Sequence, residues 1–221
     1  MSDFIFVEAF EAQAAKRGDA TALVCQGQET SYRELSQWSD QVAQKFISDG
    51  ISPEARVAYL GGNSDIYFQM LLGAQKSRAV VVGVNSRLAA PEVAYVLNDA
   101  KAEMVFVTED FAPLMESILA DCPSVRQVVS MDGSHASWTS FAQWRDSAKA
   151  EPVRLACEAS DDFIQLYTSG TTGHPKGVQL TNENMHSALE QAHEWANWKT
   201  EDHVLLCMPL FHIAGVNVGL I

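Results

Sequence analysis

The sequence predicts an α/β fold in which a mostly parallel sheet is layered with helices. Short apolar runs alternate with longer amphipathic segments along most of the chain, which is typical of strands and helices in a parallel sheet. One run, 79–84, is almost wholly apolar, as expected of a strand covered by helices on both faces. Apolar residues make up 47% of the 221 residues, enough to form the core of such a sheet.

The N-terminal part of the chain predicts a helix, a hairpin and a second helix. Apolar residues near helical spacing indicate a helix over 4–17, and the runs 22–25 and 29–31 are typical of two paired strands. Ser31 and Glu34 have the spacing of a capping box, so the second helix is expected to begin at residue 32 and run to about residue 49.

The remainder predicts strands and helices in alternation. Strands are expected at 56–60, 79–84, 104–107, 125–129, 163–167, 177–181 and 204–208, and helices at 66–76, 91–98, 111–120, 138–148 and 182–197. The stretch 204–221 has no Asp, Glu, Lys or Arg, but Pro209 and His212 interrupt it. We therefore predict a buried strand, a turn and the start of a core helix there, and no membrane span.

The order of elements divides the chain into three predicted regions. Residues 1–130 form an α/β N-terminal subdomain region, and 131–162, which is richer in polar residues, forms a surface connection. Residues 163–221 form a region organised around a Gly/Ser/Thr-rich loop, with a second subdomain that is incomplete.

Charge and cysteine content exclude several classes of function. The net charge of −13 argues against binding to nucleic acid and disfavours purely electrostatic docking to anionic membranes. The four cysteines lack CxxC or metal-site spacing, which indicates reduced thiols. Since the N-terminus also lacks a signal-peptide pattern, we expect a cytoplasmic protein. The sequence leaves peripheral membrane contact and homodimer formation open.

The stretch 167–177, Tyr-Thr-Ser-Gly-Thr-Thr-Gly-His-Pro-Lys-Gly, follows an apolar strand and combines the groups that bind phosphate. Glycines allow positive φ and close approach of the main chain to a ligand, hydroxyls donate hydrogen bonds, and a lysine supplies a cation. The candidate contacts are Thr168, Ser169, Gly170, Thr171, Thr172, Gly173 and Lys176. The alternatives are a plain surface loop and a nucleotide P-loop. The second fails because Gly177, not Ser or Thr, follows Lys176.

The whole string closely resembles the phosphate-binding signature of the adenylate-forming (AMP-binding) superfamily, which includes acyl-CoA synthetases, luciferases and peptide-synthetase adenylation domains. Shorter blocks at 30–35, 56–63, 82–88 and 96–98 are similar to blocks of the N-terminal domain of that family, in the same order. The resemblance covers most of the chain. It favours the fatty-acid–CoA ligase branch of the acyl-CoA synthetases, N-terminal part only.

The resemblance implies an ATP-dependent, AMP-forming acid–CoA ligase that uses ATP, Mg²⁺ and coenzyme A. Within it, Lys176 and the loop hold the β- and γ-phosphates, and Thr168 is assigned to the metal. His212 lies in a block, Phe-His-x-x-Gly, similar to one that borders the acyl pocket, and is assigned with Lys176 to catalysis. Amino-acid-activating relatives have Asp after the Phe, so His212 favours a carboxylic acid without an ammonium group, such as a fatty acid.

Two further expectations concern the whole protein. Ile221 falls inside an apolar run, which predicts a fragment of a longer enzyme that is inactive alone. The alternatives are a non-catalytic anion- or nucleotide-binding or interaction protein that retains the fold, or a relative that activates aryl or amino acids. Asp161 and Asp162 flank a strand and are expected to be solvated and not catalytic. His186 and His193 are expected to be exposed or half-buried helix residues that share no metal, since two helical turns separate them.

Overall fold

The computed structural model describes residues 4–133, 135–168, 174–199 and 201–220. The helices are α1 (Phe6–Arg17), α2 (Tyr32–Ser48), α3 (Asp65–Ser77), α4 (Ala90–Asp99), α5 (Ala112–Ile118), α6 (Phe141–Asp146), α7 (Asn182–Ala196) and α8 (Ile213–Leu220). The strands are β1 (Thr21–Cys25), β2 (Gln28–Ser31), β3 (Arg56–Leu60), β4 (Val80–Gly83), β5 (Met104–Val107), β6 (Gln127–Ser130), β7 (Thr139–Ser140), β8 (Asp162–Thr168) and β9 (Lys176–Thr181).

Seven strands form one sheet in the order β7-β6-β5-β3-β4-β8-β9, and β1 and β2 form a separate antiparallel hairpin. Every neighbouring pair in the large sheet is parallel except β8 and β9, which pair antiparallel. The predicted α/β class with a mostly parallel sheet is therefore confirmed.

Helices cover both faces of this sheet. In β3, Val57 and Tyr59 pack into a core shared with α2 and α3, whereas Ala58 and Leu60 point to a second core shared with α4 and α5. Strand side chains alternate between faces, so a strand that is buried on both sides is apolar throughout. β4 shows this directly, because all four of its residues are buried.

Local capping sets the start of two helices. The Ser31 hydroxyl accepts the Glu34 backbone N–H at 3.2 Å, and the Glu34 carboxylate accepts the Ser31 N–H at 2.8 Å, which forms the predicted capping box of α2. Thr181 and Asn184 make the same reciprocal pair at the start of α7. These helices begin at the predicted residues because both partners of each cap lie within three residues.

The predicted strand at 204–208 is wrong. That segment has no regular structure, and Leu205 is 85% exposed. An apolar run becomes a strand only where a neighbouring strand supplies hydrogen-bond partners, and no described strand pairs with it. The turn and helix predicted after it are confirmed by α8.

Most other elements differ from the predicted bounds by one or two residues at an end, and the larger differences lie around β6 and α6. β6 begins two residues later than the predicted 125, and the helix expected at 138–148 is preceded by the two-residue strand β7. Ser140 explains the late start of α6, since its hydroxyl caps the helix by accepting the Gln143 N–H at 3.2 Å.

The three predicted regions all contribute strands to the same seven-stranded sheet. β8, from the 163–221 region, pairs with β4 from the N-terminal region. The connection 131–162 contributes β7 and α6, and its Phe141 and Trp144 are each 2% exposed against the core. The division stays a prediction. Among the described residues, no helix is both long enough and apolar enough to cross a membrane.

Candidate active site

A crevice is expected where β3 and β4 end. These strands are parallel neighbours, but the helix that follows β3 packs on one face of the sheet and the helix that follows β4 packs on the other. The two connections diverge, and ligands of open α/β sheets bind at such a point outside the carboxyl ends of the strands. β8 is parallel to β4, so its carboxyl end reaches the same edge.

The Gly/Ser/Thr-rich loop begins at this edge. Thr168 ends β8 and Lys176 begins β9, and the two are directly paired across the antiparallel ladder. Cross-strand partners project from the same face, so the side chains of Thr168 and Lys176 are neighbours on that face. The sequence-predicted contacts Ser169, Gly170, Thr171, Thr172 and Gly173 lie outside the described residues.

Lys176 is placed as an anion-binding residue would be. Its side chain is exposed at the sheet edge, and within the described ranges it forms no ion pair, whereas Lys45 and Lys76 do. A lysine ammonium group on a flexible stem binds phosphate as a point charge. The arrangement supplies one cation and one hydroxyl on a common face.

Gly177 serves a different purpose from the one its motif suggested. It lies in β9, and its φ is outside the left-handed range. A Cβ at this position would lie 2.5 Å from Nε2 of Gln165 and 3.0 Å from Cζ of Tyr167, so the glycine makes room for these two side chains of β8. The predicted use of Gly177 for positive φ is therefore wrong, and the close approach is to side chains of the same hairpin.

The Phe211–His212 block reaches the same edge from the other end of the sequence. A Cβ on Gly83, the last residue of β4, would lie 2.9 Å from Cα of Phe211 and 3.0 Å from Leu166. The backbone of 208–212 therefore lies directly against the end of β4, on the face of the sheet that carries Leu166. Thr168 projects from that same face because it lies two residues after Leu166.

Asn63 attaches this block to the end of β3. Its side-chain amide donates to the Met208 carbonyl at 2.9 Å and accepts the Leu210 N–H at 3.0 Å. The turn that presents Asn63 is held by Tyr59, whose hydroxyl donates to the Gly62 carbonyl at 2.7 Å. Burial raises the pKa of Tyr59, so this hydroxyl stays a donor at neutral pH.

His212 itself is exposed, next to the buried Phe211. The two rings are 4.5 Å apart at 50°. The imidazole of His212 is therefore open to solvent, whereas the neighbouring Phe211 side chain is buried. The structure brings Thr168, Lys176 and the Phe211–His212 block to one edge and one face of the sheet.

The other titratable candidates lie elsewhere. Asp161 and Asp162 lie at the amino end of β8, where they pair with Arg78 at 3.0 Å and Arg56 at 2.6 Å. His186 stacks on Phe4 with ring centroids 4.2 Å apart. Within the described parts of the chain, no group of three or more His, Cys, Asp or Glu side chains could hold a metal ion.

Sequence reasoning missed how the site is held together. The sequence predicts Asn63 as a turn residue that could cap the next helix and as part of the family-like block 56–63, and Gly83 as part of an apolar strand and of the block 82–88. Their partners lie more than a hundred residues away, so no local pattern could have revealed the contacts. A turn asparagine directly after a buried strand was the available signal for Asn63.

Fold and site together describe an α/β protein whose Gly/Ser/Thr-rich segment joins β8 to β9 at the carboxyl edge of the sheet. The sequence model of the AMP-binding enzyme family matches residues 10–221. The chain belongs to this family.

Characterised relatives agree with this assignment. The chain is 34% identical over 199 residues to the fatty acid–[acyl-carrier-protein] ligase ScoC of Streptomyces coeruleorubidus, which covers 88% of this chain and 37% of the relative. It is 35% identical over 186 residues to the long-chain-fatty-acid–CoA ligase FadD13 of Mycobacterium tuberculosis, covering 84% and 36%. The chain thus spans little more than a third of the length of these relatives.

A solved structure shows the same fold. The inhibitor-bound N-terminal domain of FACL13 from Mycobacterium tuberculosis superimposes with a TM-score of 0.87 at 31% identity, covering 97% of this chain and 54% of that chain. This likeness confirms the N-terminal acyl-CoA ligase type of α/β fold.

Proposed function

We propose that the protein carrying this chain is an ATP-dependent, AMP-forming acid–CoA ligase. In the first step a carboxylate oxygen of the acid attacks the α-phosphorus of ATP, and pyrophosphate leaves. In the second step the thiol of coenzyme A attacks the acyl carbon of the adenylate, AMP leaves, and a thioester forms. The observation that carries this proposal is the side-by-side placement of Thr168 and Lys176 where the loop joins the sheet edge.

The chain's own groups fit the charge that develops in the first step. Pyrophosphate gains negative charge as it leaves, and a preplaced ammonium group at Lys176 stabilises that charge most in the transition state. The motif positions 169–173 are proposed to add N–H and hydroxyl donors around the β- and γ-phosphates. Catalysis of this kind rests on positioning and electrostatics.

Magnesium fits the site as a partner of the nucleotide. Because the described residues offer no cluster of metal ligands, the ion would take most of its ligands from the phosphates and water, as Mg²⁺ commonly does. The Thr168 hydroxyl is the side-chain ligand we assign to it. When bound, the ion would neutralise phosphate charge.

The proposed substrate is a fatty or related apolar acid. His212 offers no carboxylate to pair with the ammonium group of an amino acid, and the side chains of Leu210 and Phe211 beside it are apolar and buried. ScoC and FadD13 are both named as fatty-acid ligases. The two relatives are named for different acyl acceptors, a carrier protein for ScoC and coenzyme A for FadD13. Both acceptors are therefore compared in the experiment below.

Pyrophosphate exchange in the full-length protein tests the proposal. Lys176→Ala should lower acid-dependent ATP–pyrophosphate exchange by roughly 10²-fold, the usual loss for one preorganised charge-stabilising group. The control Lys16→Ala removes an exposed lysine from α1 and should leave the rate unchanged. Exchange at the wild-type rate in Lys176→Ala would refute the role of this lysine.

A substrate panel then defines the acid and the acceptor. Fatty acids of increasing chain length, benzoate and an amino acid are compared for AMP release with coenzyme A or a carrier protein as acceptor. We expect the highest kcat/KM with a fatty acid and coenzyme A. The 221-residue chain alone, as a parallel sample, is expected to show no exchange.

A further inference from the structure

The hairpin that carries the phosphate loop is attached to helix α4 on both of its sides. The last pairs of the hairpin ladder are Tyr167 with Gly177 and Thr168 with Lys176, so the connection between the strands spans residues 169–175. One attachment leaves from Tyr167, just before that connection, and the other from His174, within it. Neither attachment was evident from the motif.

The first attachment is a hydrogen bond from β8 to the end of α4. The Tyr167 hydroxyl donates to Oδ2 of Asp99 at 2.6 Å and accepts from Nε2 of Gln165 at 3.1 Å. The length is that of a charge-assisted O–H···O⁻ bond, among the stronger classes of hydrogen bond in proteins. Burial, the bond to Asp99 and the charge of that carboxylate raise the pKa of Tyr167, so the phenol stays a donor.

Gly177 makes this attachment geometrically accessible. The Tyr167 ring lies against Gly177 of the partner strand, where a Cβ would approach the ring at 3.0 Å from Cζ. A Cβ there would also lie 2.5 Å from Nε2 of Gln165, so Gly177 leaves room for both β8 side chains of this hydrogen-bonded chain.

The second attachment is a ring stack. The imidazole of His174 lies over the ring of Tyr95, with centroids 4.9 Å apart and planes inclined by 24°. Tyr95 and Asp99 are four residues apart on α4, so they project from the same side of the helix one turn apart. One face of α4 therefore contacts the hairpin both before and after the segment 169–173.

We propose that Asp99 and Tyr95 are positioning residues that fix the two ends of the phosphate loop through Tyr167 and His174. This inference rests on the proposed function, since it assigns to α4 the task of placing the groups that bind ATP phosphates. A loop that is fixed before the nucleotide binds loses less conformational entropy on binding. Donors on a loop with fixed ends also need less reorganisation as pyrophosphate departs.

If the hydrogen bond positions the phosphate loop, its loss should raise KM for ATP and leave KM for the acid unchanged. Tyr167→Phe keeps the ring and removes the hydroxyl, and it should raise KM for ATP about tenfold with KM for the acid unchanged, since hydrogen bonds to charged groups are among the strongest. Asp99→Ala should do the same, whereas Asp99→Asn retains a carbonyl acceptor and should recover most of the wild-type KM. The double variant Tyr167→Phe/Asp99→Ala should be no worse than either single variant.

A second set of variants tests the stack of His174 on Tyr95. His174→Ala should raise KM for ATP a few-fold, and His174→Phe, which can still stack on Tyr95, should restore it. Two controls repeat the same changes far from the loop. Tyr32→Phe removes a hydroxyl that accepts from Arg17 at 3.0 Å, and His135→Ala removes a ring stacked on Trp138 at 3.7 Å. Neither control should change KM for ATP.

A measurement without substrate separates this proposal from the function it rests on. Backbone hydrogen exchange of residues 168–178 in the apo protein should be faster in Tyr167→Phe and His174→Ala than in the wild type and both controls. Wild-type exchange in both variants, or equal rises in KM for ATP and acid, would overturn the anchoring. Absence of pyrophosphate exchange in the wild type would overturn the ligase function instead, and the hydrogen-exchange result would still decide the anchoring.

Discussion

The side-chain amide of Asn63 accepts the backbone N–H of Leu210 at 3.0 Å and donates to the Met208 carbonyl at 2.9 Å. These bonds hold the turn that follows 204–208, the segment for which the sequence predicted a strand. They fix the segment that leads to His212 against the end of β3. Asn63 therefore connects the end of β3 to the Phe211–His212 block, the proposed acyl-binding segment.

Removing the Asn63 side chain should release this block. Asn63→Ala loses two hydrogen bonds, together worth about 1–3 kcal/mol of local attachment. We expect KM for the acid to rise about tenfold, with KM for ATP changed less than twofold, in steady-state assays of the full-length protein. Gln41→Ala is the control, since it removes an amide that donates to the distant Ala148 carbonyl at 3.1 Å. An unchanged KM for the acid in Asn63→Ala would contradict this role.

Adding a methyl group at Gly83 should displace the segment 208–212, which packs against the end of β4. The new Cβ would meet the Cα of Phe211 at 2.9 Å, and a backbone atom can yield only if the segment moves. We expect Gly83→Ala to lower the free energy of unfolding by about 1–3 kcal/mol, measured by urea denaturation. Gly62→Ala is the matched control, since no atom lies within 4 Å of a Cβ at that position. Equal stability of the two variants would show that 208–212 adapts freely.

Lys76 should be essential to the stability of the helical layer. Its fully buried ammonium group contacts Asp40 and Glu11 at 2.8 Å each, which joins α3 to α2 and α1. Burial lowers the pKa of Lys76, and its hydrogen bonds to the two carboxylates oppose that shift. Lys76→Met removes the buried cation and leaves Arg154, which lies 2.8 Å from both Asp40 and Glu11, so we expect a cost of about 3 kcal/mol, the low end for breaking a buried ion pair.

The control for Lys76 is the same substitution in an exposed ion pair. Lys149 lies 3.8 Å from Glu151 with side chains 85% and 67% exposed, and Lys149→Met should change stability by less than about 1 kcal/mol. Chemical denaturation of both variants at pH 7 measures the difference. A cost below 1 kcal/mol for Lys76→Met would mean that Arg154, which also pairs with Asp40 at 2.8 Å, compensates for the loss.

The capping box of α2 predicts a specific pH dependence. Hydrogen bonds from the Ser31 hydroxyl and backbone lower the pKa of Glu34. A depressed folded-state pKa adds stability above the unfolded pKa of about 4.3, and that contribution is lost as the pH falls through the folded value. Wild type should exceed Glu34→Gln in stability by about 0.3–1 kcal/mol at pH 7. This advantage should shrink below about pH 4.3.

Removing the capping partner provides the control for that measurement. In a Ser31→Ala background the hydroxyl hydrogen bond that contributes most to the lowered pKa of Glu34 is absent, so Glu34→Gln should show a weaker pH dependence. Urea denaturation at several pH values between 3 and 7 yields both differences. A pH-independent difference between wild type and Glu34→Gln would contradict the capping assignment.

Much of the fold was accessible from the sequence because its signals are local or periodic. The capping pair Ser31 and Glu34 lies within one helical turn, and the apolar run that became β4 needs no partner to be recognised. The motif 167–177 similarly identified the family and predicted a loop between two strands, which the pairing of Thr168 with Lys176 confirms. The roles of its individual residues stay predictions.

Tertiary structure decided what local patterns could not. Whether 204–208 forms a strand depends on a neighbouring strand. In the structure the carbonyl of Met208 instead accepts a hydrogen bond from the side chain of Asn63, 145 residues away. Gly177 leaves room for the side chains of Gln165 and Tyr167, and the Tyr167 hydroxyl is bonded to Asp99 of α4. By itself the sequence determined the elements and the family, because caps, periodicity and motifs act over a few residues. Only the folded chain decided which distant side chains hold the phosphate loop and the His212 block, because such contacts exist only after the layers pack.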